Sequence, residues 1–433
     1  MGGRFSLRGK VKRGVARIGL FLFYEKGTIS RKTIPALRVE SLMNWADRIP
    51  LGGIVTVRDR LLELQAQGKS ILRLESGDPS FEVPPHILEA IHKALRDGHT
   101  HYTAGAGIPR LREAIVEKLR RENQIPVEGS HRVLVTSGAM NALYIAYKAL
   151  IEEPGDEIIV PDPTWTETFD NITLNGGKVV RAPLDPERNW SVVPGRIEEL
   201  VTNKTRAIVL NSPHNPTGGV LSRDVLERVL LIALKYNLKI ISDEAYEHVL
   251  FDKEKHISIG SLPGAEKCVV SIFSMSKSYA MSGLRVGYVA SNDDLLIERM
   301  GKLLRCTVNG VNSATQHGAV AALEGSSLDT FSMCKTYQER RDLLVKGLSS
   351  CRLFLPYNPQ GAFYVWAKIT EDWKGFNGDR NSWAMSRYLV ERGGLGSAPG
   401  EVFGPGGAGY LRFAFSCSTP QVQRASEILG NLT

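Results

Sequence analysis

The stretch Ser274-Met-Ser-Lys277 stands between two apolar runs, Cys268 to Phe273 and Arg285 to Ala290, in a turn of serines, glycine and other small residues. A lysine amine is a nucleophile only in its neutral form, and burial or a nearby cation lowers its pKa enough to release that form. Arg285 follows eight positions later, and with the hydroxyls of Ser274 and Ser276 it would suit a bound phosphate. Asp243 ends another apolar run, where an aspartate can pair with a protonated ring nitrogen; Tyr246 and Asn215 could each hydrogen-bond a phenolate oxygen. Ser137 leads into Gly138, Ala139 and Met140 at the start of a helical pattern, and the free N–H groups of a helix start attract anions. Trp165 offers a flat face for an aromatic ring. Singly these are a surface lysine, a strand-end cap, a turn asparagine and a core indole. Together, an amine nucleophile, a dianion cup, an acid for a pyridinium and a stacking indole describe a site for pyridoxal phosphate.

Such a site needs elements that bring these residues to one place. From Arg132 onward the pattern reads strand, turn, helix, repeated: Val133 to Thr136, Glu157 to Val160, Ala207 to Leu210 and Lys239 to Ser242 are continuous apolar runs. Amphipathic helices separate them, one capped by Ser222 and burying Leu226, Val229, Leu230, Ala233 and Leu234. Ile87, Ala90, Ile91 and Leu95 predict an earlier buried helical face. Continuous apolar strands alternating with helices predict an α/β fold, a mostly parallel sheet covered on both faces. Ligands of such sheets sit beyond the carboxyl ends of the strands, where Ser137, Asn215, Asp243 and Ser274 to Lys277 all fall. After about residue 310 long helices (Ser313 to Leu323, Phe331 to Leu348) and short strands (Ala362 to Ala367, Gly409 to Ser416) predict a smaller α+β domain, closed by a helix from Pro420 to Leu429.

At 433 residues the chain is long enough for two domains. The expected division is a basic leader over 1–38, an arm and part of the small domain over 39–85, a large cofactor-binding domain over 86–310 and a small domain over 311–433. The net charge of +8 resides in the leader, where ten Lys/Arg face Glu25 alone. The rest is close to neutral and gives no reason to expect a nucleic-acid partner. The leader suits a disordered arm, an upstream extension of the true start, or an organelle-targeting peptide. Its apolar stretch, Ile18 to Tyr24, is seven residues, far short of the roughly 20 needed to span a bilayer. Five cysteines, widely spaced and never C-x-x-C, argue against a disulfide framework or a zinc site and suit a reducing, cytoplasmic compartment.

Seven motifs in order resemble the class I/II aminotransferases of pyridoxal-phosphate fold type I, the aspartate-aminotransferase-like group. They are Leu74-Glu-Ser-Gly77-Asp-Pro79; Tyr102-Thr with Gly107 and Leu111-Arg112; Asn211-Ser-Pro with Asn215-Pro-Thr-Gly218; Ser242-Asp-Glu with Tyr246; Ser274 and Lys277 with Gly283, Arg285 and Gly287; Gly361-Ala-Phe-Tyr364; and Leu411-Arg412-Phe413. The resemblance covers about residues 45 to 430. It implies an aminotransferase that passes an amino group from an L-amino acid to a 2-oxo acid by ping-pong chemistry through a Lys277 aldimine. Asp243 would keep the pyridine nitrogen protonated, and Tyr246 and Asn215 would bond the ring oxygen. Ser274, Ser276, Arg285 and the backbone of Gly138, Ala139 and Met140 would hold the phosphate. Arg412, helped by the backbone at Gly77, would grip the substrate α-carboxylate. Tyr102 reaches the phosphate of a neighbouring subunit in such enzymes, which implies a homodimer with shared sites.

The chain departs from the family pattern at three places. Met140 stands where several aspartate-type members carry a lysine that reads an acidic side chain, and Cys306 to Ser313 contains no arginine for a second carboxylate. Both weaken aspartate as the donor. Ala104 replaces a proline after Tyr102-Thr103. The alternative on the same scaffold is a C–S β-lyase or a cyclopropane-forming synthase, because the orientation of the substrate decides which Cα bond breaks. A regulator with a fused winged-helix domain would need more than the roughly 45 residues that precede the match. A non-catalytic binding protein is disfavoured by Lys277, Asp243 and Arg412 occurring together.

Overall fold

The computed structural model describes residues 49–50 and 52–432, so the basic leader lies outside the described residues. Helix α1 (Gly53–Ala66) buries Val57, Leu61 and Leu64, and β1 (Leu72–Arg73) follows it. Helices α2 (Pro85–Arg96) and α3 (Pro109–Arg121) each begin at a proline, at the position whose N–H has no helical partner. Ile87 and Ile91 face the core from α2 as expected, but Leu95 is 49% exposed and Ala94 takes its place. Eight residues rotate a helical face by about 80°, which carries Leu95 off the stripe that begins at Ile87.

The alternating stretch then runs β2 (Val133–Thr136), α4 (Gly138–Leu150), β3 (Glu157–Asp162), α5 (Thr166–Leu174), β4 (Lys178–Pro183), α6 (Pro194–Glu199), β5 (Thr205–Asn211), α7 (Arg223–Tyr236), β6 (Lys239–Asp243), β7 (Val269–Ser274), α8 (Met275–Ser278) and β8 (Gly287–Ala290). Its seven strands form one sheet in the order β2-β8-β7-β6-β5-β3-β4. Neighbours pair in parallel except around β8, which is antiparallel to both β2 and β7. The sheet is mostly parallel, as expected. Strand β8 is reversed because the chain turns straight back after β7 through the Lys277 segment, without the crossover that parallel pairing requires. Strand β4 has no counterpart in the sequence reading. It is an edge strand with Lys178 and Pro183 exposed, so it lacks a continuous apolar run. The Oγ of Ser222 caps α7 as expected, accepting from the Val225 N–H at 3.4 Å. Leu234, expected inside, is 38% exposed because it lies one step round the helix from buried Ala233.

The remaining elements are α9 (Asp294–Thr307), α10 (Ser313–Glu324), α11 (Leu328–Ser350), β9 (Phe354–Pro356), β10 (Tyr364–Ile369), α12 (Ser382–Gly393), β11 (Leu395–Gly396), β12 (Ala398–Pro399), β13 (Tyr410–Ala414) and α13 (Thr419–Gly430). A second, antiparallel sheet runs β12-β13-β10-β9, and β1 pairs in parallel with β11. Trp366, Ala398 and Phe403 pack with Ile159, Ile208 and Leu210, so one core ties the second sheet to the first. Among the described residues no helix is long and apolar enough to cross a membrane.

Strand register lines up the polar strand ends. Asn211 lies opposite Asp243, Ser274 opposite Gly287, and Gly287 opposite Thr136. On the second sheet Arg412 lies between Trp366 and Ala398. The Ala414 N–H donates to the Leu74 carbonyl at 2.6 Å and the Ser80 N–H to the Ser416 carbonyl at 3.0 Å, which fastens the Glu75–Gly77 loop beside β13.

Candidate active site

The anion end of the site forms where β2 enters α4 and β7 enters α8. Gly138 has φ +75°, and a Cβ there would lie 2.5 Å from Arg285 Nη2. Glycine therefore lets the guanidinium close over the start of α4, whose first N–H groups have no helical acceptor. Arg285 is fixed by donating from Nη1 to the Ser282 carbonyl at 2.8 Å and from Nη2 to the Ser137 carbonyl at 3.4 Å. Ser274 Oγ accepts from the Ser276 N–H at 3.2 Å, which holds the turn that presents Lys277. A Cβ on Gly287 would lie 2.7 Å from Ala139 N, so that glycine allows β8 and α4 to meet.

Lys277 is half-buried, and its Nζ donates to the Gly77 carbonyl at 2.6 Å. Burial draws its pKa down to about 8; Arg412 and Arg285 push the same way, against the pull of Asp78 and Asp243. Burial raises Asp243 to about 6, helped by the charge of Glu244 and opposed by the Ala245 N–H and by Lys277. That N–H donates to Asp243 Oδ1 at 3.2 Å, and Oδ2 has no partner among the described residues. Asn211 braces this edge: its amide donates to the Asp243 carbonyl at 3.0 Å and its Oδ1 accepts from the Asn215 N–H at 2.8 Å.

Arg412 is 2% exposed. Its Nη1 donates to Asn215 Oδ1 at 2.9 Å and its Nη2 to the Glu75 carbonyl at 2.6 Å, while the buried Nε has no partner among the described residues. The guanidinium lies 4.2 Å from the Tyr364 ring centre and 4.8 Å from that of Phe403. Tyr364 and Tyr246 meet hydroxyl to hydroxyl at 2.8 Å. A Cβ on Gly77 would lie 2.0 Å from the Tyr364 hydroxyl, so only glycine fits at that loop position. A cavity of about 320 Å³ opens onto Lys277, Asp243, Arg285 and Arg412 together. A half-buried lysine of lowered pKa beside an acid of raised pKa is equipped to move protons near neutral pH.

The family model for aminotransferase class I and II matches residues 69–429. The chain belongs to that family. It is 35% identical to a probable aspartate aminotransferase of Methanocaldococcus jannaschii over 366 residues, covering 83% of this chain and 93% of the relative. Its fold superposes with a TM-score of 0.84 on the aspartate aminotransferase of Thermus thermophilus solved with maleate, at 32% identity, covering 90% of this chain and 98% of that one. It superposes equally, at 0.84, on an alanine aminotransferase of Pyrococcus furiosus, at 30% identity and with the same two coverages of 90% and 98%. The aminotransferase fold type I expected from the motifs is therefore established, and with it a transferase that moves an amino group between an amino acid and a 2-oxo acid.

Of the sequence-predicted residues, Gly77, Ala139, Met140, Trp165, Asn215, Asp243, Tyr246, Ser274, Ser276, Lys277, Arg285 and Arg412 all line the aminotransferase cavity. Gly138 stands behind it as the hinge under Arg285. Tyr102 does not line it and is 91% exposed. The sequence reading missed Tyr364, Asn211, Glu167 and Ile54 as lining residues. Tyr364 and Asn211 stood inside the family motifs without a role. Glu167 carried the one available signal, a carboxylate two residues after Trp165; Ile54 carried none.

Proposed function

We propose that this aminotransferase works with pyridoxal 5'-phosphate, whose phosphate the start of α4 with Ser274 and Arg285 would hold and against whose ring Trp165 would stack. The observation that carries the reading is the single cavity shared by the Lys277 amine, the Asp243 carboxyl and the Arg412 guanidinium. The residues suit the group: Arg285 closes over free N–H donors, Asp243 keeps an unpartnered oxygen, and Arg412 keeps an unpartnered Nε. When bound, pyridoxal phosphate supplies an electrophilic carbonyl carbon and a ring that accepts an electron pair.

The residues of the chain supply the rest. Arg412 anchors the donor α-carboxylate as a charged fork, preset by Asn215, Glu75 and the Tyr364 ring. Lys277 Nζ, with its pKa drawn to about 8, provides a neutral amine near physiological pH that takes and returns the Cα proton. Asp243 would pair with a protonated ring nitrogen, and the Tyr246 hydroxyl, set by Tyr364, and the Asn215 amide would donate to the ring oxygen. The exposed Tyr102 supports a homodimer in which it completes the partner's phosphate site. Five free cysteines support a reducing compartment such as the cytoplasm.

The test is the visible spectrum of purified protein with added pyridoxal phosphate, beside Lys277→Ala. A band that forms, is lost with an amino donor and returns with a 2-oxo acid is expected. Wild-type protein that forms no band sinks the cofactor assignment. Release of ammonia and pyruvate without an acceptor would replace transamination by β-elimination.

A further inference from the structure

Three cations line the cavity, and all are already committed, Lys277 to proton transfer, Arg285 to the anion end and Arg412 to the α-carboxylate. Among the described residues none remains for a second carboxylate on the substrate. Met140 lines one wall, and its sulfur accepts at 3.2 Å from the Asn171 amide, which also donates to the Glu167 carbonyl at 2.8 Å. On the same wall Glu167 enters the cavity from the first turn of α5, two residues after Trp165. Its Oε2 accepts from Thr166 Oγ1 at 2.5 Å, and it forms no ion pair among the described residues. One turn along the helix, Asp170 is pushed up by burial and by the charge of Glu167, and it too forms no ion pair among the described residues. Among the described residues the wall is thus short of positive charge, and Glu167 Oε1 is left free to accept.

We infer that Glu167 sets the substrate range of this enzyme, selecting amino donors whose side chain ends in a cation or an N–H donor and disfavouring those with a second carboxylate. The inference rests on the aminotransferase reading and separates this chain from the aspartate enzymes it is similar to. A side-chain ammonium would complete a charge-assisted hydrogen bond with Glu167, whereas a distal carboxylate would bring like charge to a half-buried acid. The competing role for Glu167 is purely structural, a negative charge that complements the start of α5.

The experiment follows the first half-reaction of the holoenzyme with ornithine, its uncharged analogue norvaline, aspartate and alanine. Ornithine should exceed norvaline in kcat/KM by about tenfold or more, the worth of a hydrogen bond to a charged group. Glu167→Gln should bring that ratio close to one and raise aspartate relative to norvaline. Ratios are read, so a general loss of activity in the variant does not mimic the effect. Calorimetric binding of two unreactive acids, glutarate and 4-guanidinobutyrate, should show the same contrast and the same loss of it. Aspartate outrunning ornithine in the wild type, or ratios unchanged in Glu167→Gln, overturns the inference and leaves Glu167 its helix-start role. If alanine and every other donor fail to react, the aminotransferase reading falls first and this inference with it.

Discussion

Two buried charge clusters meet on strand β6 and the turn after it, and they are built on opposite lines. In one, Lys118 Nζ donates to both oxygens of Glu247 at 2.6 Å and to Asn123 Oδ1 at 2.7 Å. Asn123 then donates to Glu247 at 2.7 Å and to Ser258 at 2.8 Å, and Ser258, His256 and Ser242 all contact Glu244. Burial alone would raise Glu247, but Lys118, His248 and the Asn123 amide outweigh it and hold the carboxyl below its ordinary range. Among the described residues two atoms of this cluster lack a partner, His256 Nδ1 and His248 Nδ1. The other cluster, Asp243 with Lys277 and Arg412, is similarly buried and has few partners. Its acid is driven up to about 6, its amine down to about 8, and its guanidinium keeps one donor open.

The contrast teaches that open partners, not hollow space, mark the site. A surface cleft of about 960 Å³ borders Glu247 and His256, three times the size of the cavity of about 320 Å³ at Lys277, yet Glu247 is paired with Lys118 and His256 with Glu244 behind it. The chain can satisfy buried charge completely and does so four residues beyond Asp243. Leaving Asp243, Lys277 and Arg412 short of partners lowers the stability of the ligand-free protein and keeps their interactions for ligands.

Substitutions that break the comparison should therefore move stability in opposite directions. The largest effect is expected from Lys277→Met, which should lower turnover by at least about a thousandfold while stabilising the ligand-free protein. Its folded pKa of about 8 lies below the unfolded value of 10.5, so the folded state carries a penalty that is full below pH 8 and vanishes above 10.5. Urea unfolding at pH 7 should show a gain of about 3 kcal/mol; a loss of stability would mean that the amine is not strained by burial. Lys118→Met should do the reverse, costing about 3–5 kcal/mol by leaving Glu247 buried and unpaired, with turnover per folded molecule almost unchanged. An unchanged melting profile for this variant would count against the paired network.

The comparison is sharpened by pH. Asp243 has a folded pKa of about 6 against 3.8 for the free group, so the folded state holds this proton more tightly, and the resulting loss of stability grows between about pH 3.8 and 6 and is full above 6. Asp243→Asn should match wild type near pH 4 and exceed it by about 3 kcal/mol above pH 6, in denaturation curves of ligand-free protein; a constant difference across that range would remove the titration as its cause. Arg412→Lys, losing the fork, should raise KM for amino donors about ten- to a hundredfold with a smaller change in kcat. The smallest effect is expected from Tyr364→Phe. Losing the hydroxyl contact to Tyr246 should cost about 1 kcal/mol, seen as a fall of a few-fold in kcat/KM, and a neutral result would leave Tyr364 only its stacking on Arg412.

The sequence by itself determined the alternation of strand and helix and the residues that end each strand, because apolar runs and polar termini are local patterns. Lys277, Asp243, Ser274 and the Gly138 turn were legible for that reason, and so was Arg412 once its motif was seen in order with the others. The tertiary structure alone decided what those residues do to one another. The Arg412–Asn215 bond spans 197 positions and the Tyr246–Tyr364 contact 118, and no local period encodes such pairs. The reversal of β8 and the edge strand β4 escaped for a related reason: pairing direction and sheet position depend on neighbours remote in the chain. Glu167 is the clearest case. Its type and place after Trp165 were plain, but only the packed cavity reveals a carboxylate lining it with no ion-pair partner among the described residues, since burial and pairing are properties of the whole fold.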